Sequence, residues 1–536
     1  MERLVGIRLA PGVFNQGTLY QAKGRWHDAH GVRWYDNAMG PIGGWVPIQN
    51  ASFVNLTVTG LPRAAVAYRD TSTGSWLGVG THTHIYNYSA GTLTDITPAG
   101  FTTGAQDGSE SSNNYGVGFY GSGVYGTGGG APNRVAADTW QLDNFGQYLV
   151  GVFTADGNLY TQATNGVGGV MTAPTLSSPN KNPTGCLGVV VTPERFLVTL
   201  GTAPTINGSG VITGWTTDGR TVAWFDQASL TVNAPTQGNQ AGSFPLQCRG
   251  KLLAGRRTHM NTLLWTDAEV FAMNYVGGNS VYGFQLLGEH CGLCAPNGIA
   301  QAGENLYWIS QNRFYVYDGA VKTLPCDVLD YVFGNMNAVQ CAKVCATTIA
   351  QFNEIWWFYP GALSLENDRA VVYNYAEGTW AIHQIGRGAC VDAGPFDQPI
   401  FVANDTSGVL YSHEIGSVRS GVAAPYAISG PVEFGDLTPF AAYSAGDIVI
   451  RVQRYLPDEN TLGDTLLRLF AGINPTDAGT AKEVVVSLSG ASAPTTCRIS
   501  GRYFRLEVYE NSDAAAYPSQ WRMGVGRVGI VPGGYR

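Results

Sequence analysis

The chain has 536 residues, of which only 13% are charged, 11% are aromatic and 71 are glycine. This composition excludes a disordered protein, which needs high charge and few aromatics, and it suits short strands joined by tight turns in which glycine takes positive φ angles. The net charge of −8, with the 31 Lys and Arg residues scattered along the chain, excludes a protein that holds nucleic acid through a broad basic surface.

The N-terminal residues carry charges at Glu2, Arg3 and Arg8, with no apolar run that would form the core of a signal peptide. No stretch of about 18 uncharged apolar residues occurs further along, so we expect no membrane segment. The default expectation is synthesis and folding in a cytoplasm.

Residues 1–50 form an N-terminal lead-in rich in glycine and tryptophan, and residues 51–424 follow with a recurrent pattern. The pattern is a strand, a tight polar turn and a second strand that ends in an aromatic residue. Clear copies are Ala155–Tyr160, Asp218–Trp224, Gln311–Gly319 and Asn404–Tyr411. A repeat of about 40 to 60 residues, each a small antiparallel meander, is typical of propeller blades. The sequence therefore predicts a β-propeller of about six to eight blades.

A Gly/Tyr-rich insertion at 101–133 interrupts this region, with Tyr115, Tyr120 and Tyr125 spaced evenly in a Gly/Ser/Asn background. Rigid aromatic rings on an adaptable backbone are favoured in binding loops, and a long loop without its own structure is usually functional or disordered. We interpret these tyrosines as candidate contacts to a neighbouring subunit or a host surface. The alternative is a flexible tip without a partner.

Helical periodicity is nearly absent, and the best candidate is Cys326–Met336, which fits one or two amphipathic turns. Residues 425–536 carry longer strands such as Asp447–Gln453 and Tyr503–Tyr509, with the apolar–polar alternation of a strand buried on one face. The predicted fold class is all-β: a β-propeller core with an added C-terminal antiparallel β-sandwich-like domain.

Two groups of residues have the chemistry of metal ligands. Cys291 and Cys294 form a CxxC, and Cys341 and Cys345 form a CxxxC about 45 residues on, which is not a standard zinc-ribbon spacing. His82 and His84 would share one face of a strand, without a recognisable third ligand. The cysteines are better explained as small buried thiols, and the histidines as side chains bonded to the backbone. We therefore predict no metal, no cofactor and free thiols.

Carboxylates near aromatic residues, such as Asp226, Asp267, Glu354 and Asp368, raise the alternative of a propeller glycosidase. Such enzymes need two carboxylates about 5 to 9.5 Å apart, or an arginine cluster for anionic sugars. The repeated sialidase box is absent, and the one partial copy, Ala376–Trp380, fits a plain hairpin. Phosphate-loop, nucleophile-elbow and HExxH motifs are also missing, so we predict no catalytic residues and no enzymatic activity.

Several fragments, taken in order, resemble one protein family. They are Val32–Trp34, Gly43–Trp45, Gly78–Thr81 through Asp95–Pro98, the Tyr-Gly insertion, Trp140–Tyr148, Val191–Phe196, Asn239–Gly242, Trp265–Asp267, Phe314–Gly319, Glu354–Pro360, Asp368–Arg369 and Gly501–Arg505. In this order, over nearly the whole chain, they are similar to the tail nozzle and packaged-DNA-stabilisation (tail hub) proteins of short-tailed bacteriophages.

The resemblance implies a structural virion protein that is assembled in the bacterial cytoplasm. It implies a homo-oligomer, usually a hexamer, attached below the portal and adaptor rings, with a tail fibre or spike as a further partner. The ring would retain packaged DNA and form its exit channel, with residues 425–536 as a platform. A charge of −8 per copy suits a lumen through which DNA passes without specific binding. The alternatives are a propeller that binds or hydrolyses host glycans, and a monomeric scaffold unrelated to phage.

Overall fold

The computed structural model describes residues 2–36, 38–111, 133–433, 448–462, 465–474, 482–487, 495–510 and 520–535. Within these residues the chain is all-β, as predicted, with a β-propeller core and an additional β-domain. The tyrosines of the insertion lie outside the described residues.

The propeller has seven small antiparallel sheets, which we number as blades 1 to 7 in chain order. The first strand of each blade is the inner strand, and successive inner strands begin 44 to 78 residues apart. The strands of blades 1 to 4 are Pro62–Arg69, Ser75–Thr81, Ile85–Ser89 and Thr92–Asp95; Trp140–Phe145, Tyr148–Phe153 and Leu159–Thr161; Gly188–Val191, Leu197–Ile206, Ile212–Trp224 and Gly242–Pro245; and Leu252–Arg257, Thr262–Thr266, Glu269–Gly277 and Val281–Glu289. Those of blades 5 to 7 are Ile299–Ala302, Asn305–Ile309, Phe314–Tyr317 and Val321–Leu324; Cys345–Ile349, Glu354–Tyr359, Arg369–Asn374 and Thr379–His383; and Ala389–Val391, Ile400–Val402, Leu410–His413 and Trp45–Pro47. A short pair of strands, Ser109–Ser111 and Asn133–Val135, forms the base of the insertion.

Blade 7 is completed by the N-terminal segment, because Trp45–Pro47 pairs with Leu410–His413 as its outermost strand. The Trp45 ring stacks on the imidazole of His413 at 5.0 Å, and the Arg387 guanidinium lies 5.0 Å from the Trp45 ring. A strand from one end of the chain thus closes the ring against a blade built from residues more than 300 positions away.

Neighbouring blades pack through apolar side chains on the facing sheets. Trp265 of blade 4 meets Trp308 of blade 5 at 5.5 Å, and both side chains are fully buried. Gly80 of blade 1 lies against Trp140 of blade 2, where a Cβ atom would come within 2.4 Å of the indole ring. The absence of a side chain at Gly80 therefore lets blades 1 and 2 approach, as a ring of close-packed sheets requires.

Two side-chain amides cross between blades close to the propeller axis. Asn297, which precedes the inner strand of blade 5, donates from Nδ2 to the carbonyls of Arg63 and Trp140 at 2.9 and 3.0 Å. Gln141 of blade 2 donates from Nε2 to the carbonyls of Leu187, at 2.8 Å, and Leu253. The inner strands of blades 1 to 5 are thereby tied to one another, so the axis is not an open tube.

The second body, which we call the terminal β-domain, contains strands from both ends of the chain. In the part of the chain that the structure describes, it has three sheets of four, six and four strands. In sheet order they are Arg3–Gly6, Arg527–Tyr535, Ile448–Leu456 and Thr495–Gly501; Ala10–Val13, Arg25–His30, Tyr426–Ser429, Tyr503–Glu510, Thr465–Gly472 and Lys482–Ser487; and Glu459–Leu462, Gln520–Met523, Ala38–Pro41 and Val32–Tyr35. Alternating burial along Thr465–Gly472 and Tyr503–Glu510 matches the predicted strands with one buried face.

This pairing differs from the predicted division, in which residues 1–50 were a separate lead-in. Five strands of that segment belong to the terminal β-domain, and a sixth, Trp45–Pro47, belongs to the propeller. Pairing between the two ends of a chain leaves no local pattern in either partner, because alternation shows that a strand has a buried face and not which strand lies beside it.

A buried ionic cluster joins the two bodies. Arg33 of the terminal β-domain donates to both carboxylate oxygens of Glu354 in blade 6, each at 3.0 Å. The same guanidinium donates to both oxygens of Glu414, just after blade 7, each at 2.8 Å. It also lies 3.6 Å from the centre of the Phe352 ring. Fully hydrogen-bonded fork geometry of this kind offsets the desolvation of the three charges and fixes one orientation.

Helix is limited to short pieces in the described residues. The α-helix Leu329–Phe333 falls within the predicted 326–336 segment, and 3-10 turns occur at Leu19–Ala22, Gly278–Ser280, Ala338–Lys343 and Ala350–Phe352. None of the described helices has the length and apolar character needed to cross a membrane.

Candidate functional site at the insertion face

The insertion leaves the propeller between blades 1 and 2, at the end of the axis where the inner strands begin. We call this end the insertion face. The base strands pair in antiparallel register, from Ser109 with Val135 to Ser111 with Asn133. The candidate contacts Tyr115, Tyr120 and Tyr125 lie outside the described residues, so their role stays a prediction.

A network of four charged side chains fixes the approach to the base. Lys343 Nζ, whose side chain is fully buried, donates to Asp107 Oδ1 at 2.6 Å and to Glu366 Oε1 at 2.8 Å. Arg63 completes the network with two parallel hydrogen bonds to the carboxylate of Glu366, from Nη2 to Oε1 at 2.8 Å and from Nη1 to Oε2 at 2.9 Å. Each buried cation thus has an anionic partner, which is the condition under which burial of charge is tolerated.

Backbone contacts continue this attachment. Gly108 N donates to Gln340 Oε1 at 2.9 Å, and Gln340 Nε2 donates back to Gly108 O at 3.0 Å. A Cβ atom at Gly108 would come within 2.4 Å of the Val339 carbonyl, so only glycine fits this position. The segment that leads to the base of the insertion is therefore attached to blade 6, although it leaves the chain between blades 1 and 2.

A cavity of about 510 Å³, which we call the axial pocket, opens beside the base. Its walls come from residues that precede or begin the inner strands of blades 2 to 6, including Leu187, Leu253 and Pro296. Asp138, Asp267 and Lys251 supply its charge. Asp138 accepts from Ala105 N at 2.8 Å and from Thr154 Oγ1 at 2.9 Å, while Asp267 accepts from Lys251 N at 3.0 Å. The pocket is thus an apolar concavity with a few polar groups, the general form of a small-molecule site.

The four cysteines of the candidate zinc motif do not converge. Cys341 Sγ and the Cys294 carbonyl are 3.2 Å apart, and Cys345 instead lies beside Cys390, with 3.8 Å between the sulfurs. None of the nine cysteines is disulfide-bonded. Burial raises the pKa of Cys291 to about 11, which keeps this thiol protonated and unreactive at neutral pH. The described residues contain no group of three or more side chains placed to hold a metal ion.

The histidines lie in a turn rather than on a strand, because blade 1 places its second strand up to Thr81 and its third from Ile85. His82 Nδ1 accepts from Leu61 N at 2.9 Å, and His84 Nδ1 lies 2.9 Å from Thr83 Oγ1. Burial and the nearby Arg63 lower the pKa of His82. Both imidazoles are thus engaged in local bonds at the turn.

The carboxylates considered for glycoside hydrolysis are dispersed. Glu354 belongs to the Arg33 cluster, Asp368 accepts from Gly361 N at 2.6 Å, and Asp226 accepts from Gln240 N at 2.8 Å. Asp267 alone lines the axial pocket. The partial sialidase-like box is a hairpin turn, in which Asn374 Oδ1 accepts from Ala376 N and Glu377 N at 3.0 Å.

The network at the insertion base was not among the sequence predictions. One signal was available: Lys343 is a lone charge in the otherwise uncharged stretch 331–353. In a chain with 13% charged residues, such a lysine has to find a carboxylate if its segment is buried. Its partners cannot be read from sequence, because Asp107 lies at the base of the insertion, 236 positions away, and Glu366 lies in a later loop of blade 6.

Comparison with known proteins does not place the chain in a family. No family model matches the chain, and no curated protein sequence matches it significantly. Among solved structures, 290 chains match. The WD40 domain of Neurospora crassa Pan2 is similar over 70% of this chain and 97% of its own, with 6% identity and a TM-score of 0.36. A protein assigned provisionally as a gluconolactonase is similar over 69% of this chain and 92% of its own, with 11% identity and a TM-score of 0.31.

Proposed function

We propose that this chain is a structural, non-enzymatic component of a short bacteriophage tail, the nozzle or hub, which forms a ring below the portal and adaptor. The observation that carries the proposal is the attachment of the insertion's base to blade 6. Four charged side chains and a glycine–glutamine pair hold its base against blade 6. A base held in this way is suited to a loop that bears load between subunits.

The state of the charged groups supports a mechanical role. At the insertion face Arg63, Lys343, Glu366 and Asp107 bond to one another, and Asp138 already accepts two hydrogen bonds from the chain. A hydrolase keeps an acid and a base available to the substrate on either side of the bond that it breaks. Asp107, Glu366 and Asp138 instead hold segments of the protein together.

The route of DNA follows from the tied axis. Asn297 and Gln141 connect the inner strands of blades 1 to 5, so a duplex cannot pass along the propeller's own axis. In this proposal DNA passes through the lumen between copies of a hexameric ring. The net charge of −8 per copy gives that lumen the sign that repels phosphates.

Co-expression with the portal and adaptor proteins encoded in the same genome tests the proposal. We expect rings on the portal–adaptor complex in electron micrographs and no free sugar from glycan substrates. Replacing Tyr115, Tyr120 and Tyr125 by serine should weaken assembly of the oligomeric ring. Phenylalanine at the same positions should retain assembly, since the aromatic group of the side chain supplies most of the buried area. A chain that stays monomeric with both partners contradicts the proposal.

The axial pocket favours a second candidate function, the binding of a host glycan. An apolar cavity of about 510 Å³ with Asp138, Asp267 and Lys251 at its wall suits a sugar ring with hydroxyl groups. A glycan array followed by a turnover assay separates the candidates. Binding that Asp267→Asn abolishes would support the glycan receptor, and release of product would support a hydrolase.

A further inference from the structure

The end of the propeller axis opposite the insertion contains a second cavity, of about 490 Å³, which we call the arginine pocket. It is bounded by the turns that follow the inner strands of blades 1, 2 and 3 and by the end of the inner strand of blade 4. Three arginines line it, Arg69, Arg195 and Arg257, each from a different blade. In a chain with a net charge of −8, this convergence of cations is the opposite of the average surface.

Arg195 is held in place by its surroundings although its side chain is exposed. Its guanidinium lies 5.2 Å from the centre of the Phe145 ring, and a Cβ atom at Gly146 would come within 3.1 Å of Nη2. The backbone at Arg195 has a φ of +69°, a left-handed conformation that is uncommon for residues with a side chain. Such conformations persist where the surrounding structure fixes them, and they cluster at ligand sites.

The other two arginines differ in the contacts that they already make within the protein. Arg257 donates to Asn144 Oδ1 at 2.7 Å and lies 3.5 Å from Asp143 Oδ1. Arg69 has only long contacts to the carbonyls of Gly394 and Pro395, at 3.5 and 3.4 Å. Within the part of the chain that the structure describes, neither Arg69 nor Arg195 forms an ion pair with a carboxylate.

The one carboxylate that lines the pocket, Asp70, is occupied by its own turn. Its oxygens accept from Ser72 N, Gly74 N and Trp76 Nε1 at 2.7 to 2.9 Å. These bonds lower the pKa of Asp70, the indole N–H of Trp76 contributing most. The Asp70 carboxylate therefore stabilises its own turn, and Arg69 and Arg195 stay available to a ligand.

We propose that the arginine pocket binds an oxyanion carried by a small molecule, either the carboxylate of an acidic sugar or a phosphate group. The planar guanidinium presents two parallel N–H donors that match both kinds of oxyanion. A cavity of about 490 Å³ exceeds what a bare inorganic ion fills and lies in the usual range for small-molecule sites. Gln147 lines the same cavity and supplies a neutral amide for sugar hydroxyls. This inference does not depend on the proposed function.

Isothermal titration of the full chain at constant ionic strength tests the proposal, with inorganic phosphate, glucose 6-phosphate, glucuronate and uncharged glucose as separate titrants. We expect at least one of the three anions to bind and glucose not to bind. The double variant Arg69→Gln with Arg195→Gln should lower the affinity for the anion that binds roughly tenfold or more, since hydrogen bonds between charged groups are stronger than those between neutral groups. Arg313→Gln, at an exposed turn on the insertion face, removes one positive charge elsewhere and should bind as the unmodified chain does.

The pattern of binding identifies the source of the oxyanion. Glucuronate binding without phosphate binding assigns an acidic sugar, and the reverse assigns a phosphorylated ligand. The proposal is overturned if none of the three anions binds. Unchanged affinity in the double variant, or an equal loss in Arg313→Gln, also overturns it, because the effect would then be one of general charge. The two substituted side chains carry no ion pair, so the variants should fold.

Discussion

Two clusters of buried charge join segments that are far apart in sequence. Arg33 links the terminal β-domain to blades 6 and 7 through Glu354 and Glu414. Lys343 links blade 6 to the base of the insertion through Asp107. Burial alone would raise the pKa of Glu354, and the adjacent Arg33 opposes that effect. These ion pairs favour one pairing of segments. Apolar contacts are more interchangeable and are less suited to that role.

Replacement of Arg33 by methionine should lower the free energy of unfolding by about 3 to 5 kcal/mol, because two buried carboxylates would lose their cation. Urea unfolding followed by tryptophan fluorescence measures the change. The control is Lys322→Met, which removes the exposed pair with Asp318 at 2.7 Å and should cost about 0 to 1 kcal/mol. Equal effects of the two substitutions would contradict this account of the junction.

Three buried histidines should make the protein less stable as the pH falls. Burial lowers the pKa of His383 and His413 well below the usual range and that of His30 to about 4. His383 Nδ1 accepts from Gly31 N and His413 Nε2 from Arg387 Nε, so both rings are needed in the neutral form. Because the unfolded chain takes up these protons first, below about pH 6.5, the stabilisation is present above that pH and is lost as the pH falls toward 4.

The measurement is the urea midpoint at several pH values between 7.5 and 4.5. His383→Gln should reduce the slope of unfolding free energy against pH by up to about 1.4 kcal/mol per pH unit, the value for one proton. His259→Gln, whose side chain is 89% exposed, should leave the slope unchanged. A slope that His383→Gln does not alter would show that this imidazole titrates normally.

At the scale of elements, the propeller depends on strands and side chains that cross between blades. Trp45–Pro47 closes blade 7, and Asn297 ties blade 5 to blades 1 and 2. Both features belong to segments outside the repeated meander. A blade can form its own hairpins from local contacts, but the ring needs these additional connections to become a single cooperative body.

Removal of residues 1–50 should prevent folding, because it deletes one strand of blade 7 and five strands of the terminal β-domain. Replacement of residues 112–132 by a short Gly/Ser linker should instead leave the melting temperature nearly unchanged, since Gln340 and Lys343 hold the base on the propeller side. Circular dichroism and thermal unfolding distinguish the two constructions. A folded product after the first deletion would refute the interwoven topology.

Replacement of Asn297 by alanine should cost about 1 to 3 kcal/mol, because the carbonyls of Arg63 and Trp140 would lose a buried donor. Gln301→Ala removes an amide that bonds only to the exposed Gly303 carbonyl and should cost little. Thermal unfolding of both variants measures the difference. A loss no larger for Asn297 than for Gln301 would show that the cross-axis bonds add little.

The sequence predicted the features that depend on local pattern and missed those that depend on distant pairing. Hairpins such as Ala155–Tyr160 and the alternation along Tyr503–Tyr509 appear in the chain itself, so the all-β class and the propeller were predictable. The count of seven blades was not, because the closing strand comes from the lead-in. The arginine pocket was also invisible, since Arg69, Arg195 and Arg257 are ordinary surface residues until three blades place them together.

At the scale of the whole molecule, the two bodies and the two ends of the axis have distinct characters. The insertion face carries an anchored loop beside an apolar pocket, and the opposite face carries the arginine pocket. The terminal β-domain is joined to the propeller through Arg33, so a load on one body is transmitted to the other. This arrangement supports our proposal of a mechanical part in an assembly.

Electron cryomicroscopy of the assembled phage particle is the most direct test of that proposal. We predict a hexameric ring of this chain below the portal and adaptor, with the insertion in contact with a neighbouring subunit and the DNA path between the propellers. Absence of the chain from the particle would contradict the proposal. So would separate copies at the particle surface with glycan in the axial pocket, which would assign the chain to receptor binding instead.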